Sequence, residues 1–235
     1  MNIIRSNDRG EGQQGVGTAE RREREYEMRR RHILDAARKV LAQKGIRGAT
    51  MEEIALEADY KPATLYLYFK SKDELLFSLC ASLLGEVTEE IEALGARRDL
   101  DVLAKVKRLP QILDRIYQLD PPVLLSLFNL QASQDFSRMS AEAMLALNDL
   151  AATGIKALSR LFEEGLDQGV FRPHVPAAMA DAVWSLFTGV VLWEESKRFF
   201  DPDKKFFQAT LEFALDLMTT GLRADLDPPR KERDA

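Results

Sequence analysis

Apolar positions recur along this chain with helical rather than strand spacing. Met51, Ile54, Ala55 and Ala58 fall at offsets of three, four and seven, so they line one face of a short helix. Thr50 followed by Glu53 makes a capping box that starts this helix at Thr50. Asp59 predicts its end, because Asp takes the left-handed turn conformation at modest cost where Gly is absent. Pro62 reads as the first residue of the next helix, a position where its missing N–H does no harm. This element is short, running through Phe69. Leu65 and Phe69, one turn apart, point inward and leave Lys61, Pro62, Ala63, Thr64, Tyr66 and Tyr68 able to face outward. Ser71 with Glu74 forms a second capping box, starting another helix at Lys72. Upstream, Ile33, Leu34, Ala37, Val40 and Leu41 mark the buried stripe of a helix from Arg21 to Lys44, ended by Gly45.

Everything after Ser71 reads as helix, without a convincing alternating strand. The spacing predicts helices over 72–94, 99–119, 122–135, 138–168, 176–199 and 203–222. Pro110 falls inside the second and should kink or split it. Gly169 ends the fourth, and the segment VFRPHVP that follows is a connector. The fold class is therefore all-α, with an N-terminal three-helix, helix-turn-helix domain over 20–71 and a helical bundle over 72–222. Residues 1–19, with four Gly and no apolar periodicity, and residues 223–235, ending in DPPRKERDA, read as disordered tails.

Charge divides along the same boundary. From Glu20 to Lys72 there are thirteen Lys or Arg against nine Asp or Glu, whereas residues 73–235 hold eighteen against twenty-seven. The overall net charge of −5 thus conceals a basic N-terminal module, as expected where only that end meets phosphate. The first nineteen residues contain no apolar core of a signal peptide, no uninterrupted apolar run is long enough to span a bilayer, and one cysteine forbids an internal disulfide. A cytoplasmic protein without membrane partners is the expectation.

A capped helix, a tight polar turn and a Pro-started helix within Thr50 to Glu74 make a helix-turn-helix, and a face of small, hydroxyl and basic groups suits a DNA major groove. The run ATLYLYFKSKDELL, preceded by MEEIALEADY and further upstream by RRHILDAARKVLAQKGIRGAT, resembles the DNA-binding signature of the TetR family of bacterial transcriptional regulators. The motif likeness covers about residues 28–80. Beyond it only helix layout and chain length match. Asp59 stands where a turn Gly is common in the family, and Lys61 where a Ser or Thr cap is common. The resemblance implies a homodimeric repressor of a palindromic operator in double-stranded DNA, released by a small, lipophilic effector. It implies that Pro62, Ala63 and Thr64 meet base edges, while Thr50, Lys61, Tyr66, Tyr68 and Lys72 serve the phosphates. Lys72 has an added reason, since it opens a helix whose N-terminal amides favour an anion. The arginines of RREREYEMRRR either follow the DNA backbone or form a solvated helix end.

The same likeness implies an effector cavity among the middle helices, with Tyr117, Phe128, Asn129, Gln131, Phe136, Met144 and Leu147 as candidate lining. The last two helices offer more apolar surface than one face needs, and Val183, Phe187, Val190, Phe207, Leu211, Leu215 and Met218 are the candidates for a homodimer interface. No catalytic residues, cofactor or metal are expected. His32 and His174 have no metal-site spacing, Cys80 sits among leucines as a buried thiol, and the doublets Glu89–Glu90, Glu163–Glu164 and Glu194–Glu195 read as solvated faces. The alternative is a helical adaptor whose helix-turn-helix binds protein; salt-dependent duplex binding separates the two.

Overall fold

The computed structural model describes residues 11–133, 141–201, 203 and 206–226. They form ten α-helices and a closing 3-10 turn: α1 (Glu11–Gly48), α2 (Met51–Glu57), α3 (Pro62–Leu65), α4 (Lys72–Gly95), α5 (Val102–Val106), α6 (Leu109–Leu119), α7 (Pro121–Ser133), α8 (Ala141–Asp167), α9 (Pro176–Phe200), α10 (Phe207–Leu222) and Ala224–Leu226. The chain divides into two compact units, Met1–Lys72 and Asp73–Ala235.

In the first unit α1 supplies one wall of the core through Ile33, Leu34, Ala37, Val40 and Leu41, all buried, and α2 supplies Met51, Ile54 and Ala55. Gly45 takes φ 68°, ψ 172° and breaks the ladder near the end of α1, a conformation that an L side chain resists. The helix begins at Glu11 rather than Arg21, so residues 11–19, expected as tail, continue it. Adding residues to an existing helix needs no new nucleus, and a polar segment can therefore be helical without apolar periodicity. The remainder of the two expected tails, residues 1–10 and 227–235, lies outside the described residues.

In the second unit the expected 99–119 helix is split. α5 ends at Val106 and α6 opens at Leu109 with Pro110 in its first turn, where no N–H is needed. Asp101 caps α5 by accepting from the Ala104 N–H at 2.7 Å. The core of this unit is built from Leu79, Leu83, Val87, Leu109, Tyr117, Phe162, Phe187, Leu211 and their neighbours. Over Pro176–Arg198, α9 is long and apolar enough by length and composition to cross a membrane, which a count of uninterrupted apolar runs does not register. Its stripe Val183, Phe187 and Val191 is nevertheless the buried side of a bundle helix.

Two carboxylates expected at solvated faces are built into the packing of this unit. Lys105, itself buried, donates to the Gly95 carbonyl at 3.0 Å and to both Glu164 oxygens at 2.9 and 2.8 Å, tying α4, α5 and α8 together. Glu194 is 1% exposed; it pairs with Lys197 at 2.6 Å and accepts the Phe206 N–H at 3.2 Å, so it closes the approach to α10. The helical period puts the two members of a doublet about 100° apart, but a doublet alone does not reveal which member meets a neighbouring helix, so the expectation of solvated faces fails for Glu164 and Glu194. At the C-terminal end, residues 223–226 are not a tail. Arg172 N–H donates to the Leu222 carbonyl at 2.9 Å and Ala224 N–H to the Val170 carbonyl at 3.0 Å, so the connector after α8 and the end of α10 satisfy each other's backbone groups.

Lys105→Ala leaves a part-buried carbonyl and a part-buried carboxylate without their donor. Urea unfolding at an unchanged m-value is expected to show a loss of about 2 to 4 kcal/mol, toward the lower side of figures for a broken buried ion pair because Glu164 keeps some solvent. Lys105→Met combined with Glu164→Leu is expected to recover most of it.

Candidate functional site

The segment between α2 and α4 is held in place by short-range chemistry. Thr50 Oγ1 accepts from the Glu53 N–H at 3.2 Å and Glu53 accepts from the Thr50 N–H at 3.1 Å, completing the capping box. Lys44 joins Glu53 at 2.6 Å. The Lys44 contact first, and the Thr50 N–H second, hold the Glu53 carboxyl below the ordinary glutamate value. At the other end of α2, Asp59 has φ 56°. Tyr60 N–H returns to the Ala55 carbonyl at 2.8 Å and Asp59 N–H to the Leu56 carbonyl at 3.1 Å, a Schellman closure with Asp in the position glycine usually takes. His32 Nε2 lies 3.1 Å from the Ala58 carbonyl, which can only accept, so the ring carries its proton on that nitrogen.

Beyond this turn α3 has Pro62 at its first position and no side-chain cap from Lys61. Its turns continue past Leu65: Leu67 N–H bonds the Thr64 carbonyl at 3.1 Å, and Tyr68 and Phe69 N–H groups share the Leu65 carbonyl at 3.0 Å. Leu65 and Phe69 are fully buried, and the Arg30 guanidinium lies 5.1 Å from the Phe69 ring centre. Of the residues expected at a DNA surface, Thr50, Lys61, Pro62, Ala63 and Tyr66 are exposed, and Thr64, Tyr68 and Lys72 are half-buried.

Two of these eight have partners that sequence spacing does not disclose. Tyr68 stacks on Tyr26 of α1, ring centres 4.9 Å apart, and the Arg29 guanidinium hydrogen-bonds to its hydroxyl. Lys72 donates to the carbonyls of Ile46 and, at 2.7 Å, Ala49, so it ties the start of α4 to the last turn of α1 and the residue just beyond it. An ammonium has three donors, and two are used here. Leu67, not among the residues expected at the DNA surface, is 76% exposed. The available signal was its spacing: four residues after Ala63 and three after Thr64, it shares their face.

In the second unit a small, partly open apolar cavity of about 40 Å³ lies between α4, α8 and α9, lined by Leu84, Val87, Ile91, Ala151, Ile155 and Trp184 among others. Gly154 permits the close approach there, since a Cβ on it would stand 3.0 Å from Thr88 Oγ1. Of the expected cavity residues that are described, Tyr117, Phe128, Asn129, Met144 and Leu147, none is among those lining this space. Tyr117, Phe128 and Leu147 are core, Tyr117 stacking on Phe207 at 4.1 Å and donating its hydroxyl proton to Glu195. Asn129 and Met144 are exposed. The Gln131 side chain and Phe136 lie outside the described residues.

The seven residues expected at a dimer interface fall into two groups. Val183, Phe187, Phe207, Leu211 and Leu215 are buried within the chain's own bundle, while Val190 and Met218 are only partly covered. The most apolar stripe of each helix goes to its own core. The apolar surplus lies on the outer faces: Trp193 (63% exposed) and Phe200 on α9, Phe213 (70%) and Leu217 (64%) on α10. Cys80 is buried, and loss of solvent pushes its thiol up to about 12, so it stays protonated and is a poor nucleophile.

Comparison with known proteins places this geometry. Residues 33–79, which hold the capping box, the Asp59 turn and the buried Leu65 and Phe69, match the family model described as bacterial regulatory proteins, tetR family. Over 202 residues the chain is 24% identical to the HTH-type transcriptional regulator YfiR of Bacillus subtilis (strain 168), covering 85% of this chain and 94% of that relative. The crystal structure of the TetR family transcriptional regulator PfmR from Thermus thermophilus has the same fold, with a TM-score of 0.64 at 23% identity over 81% of this chain and 98% of that one. So does the transcriptional regulator FadR from Bacillus subtilis in complex with stearoyl-CoA, with a TM-score of 0.61 at 19% identity over 82% and 98%. Residues 33–79 thus carry the helix-turn-helix of the tetR family of bacterial regulatory proteins, at the N-terminal end of a chain whose described residues are helical and share the fold of TetR-family regulators.

Proposed function

We propose that this regulator is a homodimeric repressor that binds a palindromic operator and leaves it when a small lipophilic molecule occupies the second unit. The observation that carries the reading is the exposure of Lys61, Pro62, Ala63 and Tyr66 between two fully buried anchors, Leu65 and Phe69. Pro62, Ala63 and Thr64 meet base edges. Thr50, Lys61, Tyr66, Tyr68 and Lys72 hold phosphates; the Thr50 oxygen accepts the cap bond and its proton remains available to a phosphate oxygen.

One short reading segment makes few base contacts, so two copies on a two-fold axis are needed to read a site with useful affinity. The outer faces of α9 and α10, with Trp193, Phe213 and Leu217, support pairing there. The apolar cavity between α4, α8 and α9 supports a lipophilic effector, in keeping with the stearoyl-CoA held by FadR. At about 40 Å³ it is far below the roughly 300 Å³ or more of a ligand pocket, so the effector must select an opened arrangement of these helices. α4 both lines that cavity and begins at Lys72, which makes it the element through which occupancy reaches the first unit.

Four outcomes test this. Lys72→Ala is expected to weaken every duplex alike and to lower the slope of log affinity against log salt by about one; an unchanged slope limits Lys72 to its carbonyl tether. Trp193→Glu is expected to halve the mass seen by sedimentation while leaving the helical circular dichroism unchanged. With stearoyl-CoA as probe, operator affinity of the native chain is expected to fall by about five-fold or more, as for a coupling of 1 to 3 kcal/mol. Ala151→Leu, which fills the cavity, is expected to bind the operator normally and lose that response.

A further inference from the structure

Leu67 stands out on the reading segment. The chain from Pro62 to Phe69 still turns as a helix at this point, as the Leu67 N–H to Thr64 carbonyl bond shows. Offsets of three and four therefore share a face, and Leu67 lies on that of Ala63 and Thr64, opposite the buried Leu65 and Phe69. A lone exposed leucine is ordinary on a protein surface. This one is set among groups of a different kind: Lys61, Tyr66 and Lys70 are exposed beside it in sequence, and Ala63 is too small to fill a groove. Leu67 is thus the large purely aliphatic side chain that the outward face of Lys61–Lys70 offers.

The major groove carries one apolar feature, the C5-methyl group of thymine, and aliphatic side chains discriminate it from cytosine by contact rather than by hydrogen bonding. We propose that Leu67 is a specificity-determining residue that packs on a thymine methyl in each half-site. Its branched side chain has the reach that Ala63 lacks. Because that side chain is solvated in the free protein, the contact hides apolar surface on both partners without disturbing the protein core.

This inference rests on the reading of the chain as an operator-binding regulator, and its test separates the two. Full-length protein first selects its preferred sites from a pool of random duplexes. The selected duplex is then remade with each thymine replaced in turn by deoxyuridine, which deletes only the methyl group, and affinities are measured for the native chain and for Leu67→Ala. The native chain is expected to lose about four-fold at one thymine of each half-site, the worth of burying one methyl group. Leu67→Ala is expected to bind the unmodified duplex more weakly, with the same salt slope as the native chain, and to be indifferent to deoxyuridine at that thymine. If every deoxyuridine affects both proteins equally while operator binding remains, Leu67 reads no methyl and the regulator reading stands. If full-length protein enriches no duplex, the regulator reading itself fails and takes this inference with it.

Discussion

A four-residue helix cannot hold its own shape, and the whole N-terminal unit is arranged around that fact. Nucleating a helical turn is unfavourable, so α3 exists only because tertiary contacts fix both of its ends. Leu65 and Phe69 are the anchors, buried against a core that α1 and α2 have already formed. The Schellman closure at Asp59 sets the angle at which the chain enters, and Pro62 fixes the first dihedral. Lys72 then fastens the exit to the carbonyls of Ile46 and Ala49. What faces water between these anchors is free to be chosen for recognition, because none of it is needed for packing.

The second unit answers a different problem. Its helices are long enough to be stable through packed faces, and polar groups at their ends fix how they meet. Lys105 reaches across to Glu164 and the last carbonyl of α4, and Glu194 fastens the start of α10. Such pairs add little net stability over apolar replacements, but leaving either partner alone is costly, so they make one helix arrangement preferable to its neighbours. Between these fastened ends, Gly154 and the short Ala151 leave the middle of the α4–α8 contact thinly filled.

The helix-turn-helix was legible residue by residue because its signals are local. Capping boxes, a turn Asp and a helix-starting Pro act within a few residues of themselves, and the Thr50 box, Asp59 and Pro62 each lie where their spacing predicts. The splitting of the 99–119 helix at Pro110 belongs to the same class. Five of the seven apolar residues of α9 and α10 expected at a dimer interface are core of their own chain, because hydrophobic periodicity reveals that a face is buried without saying what buries it. Val183, Phe187, Phe207, Leu211 and Leu215 meet their own bundle, and the residues left for a second surface are those one step around each helix. The cavity was illegible for a related reason. It depends on where large and small side chains from three separate helices fall opposite one another.

From its sequence alone this chain determined its main helices, most of their boundaries to within a few residues and the outward placement of Lys61, Pro62, Ala63 and Tyr66, since dihedral preferences, caps and periodicity are properties of neighbouring residues. Only the tertiary structure decided that Lys72 bonds two carbonyls more than twenty residues upstream, that Tyr68 rests on Tyr26, that Glu194 is buried and that the open space lies between α4, α8 and α9. Those outcomes depend on which helix face meets which, and that is settled by side chains far apart in sequence competing for the same volume.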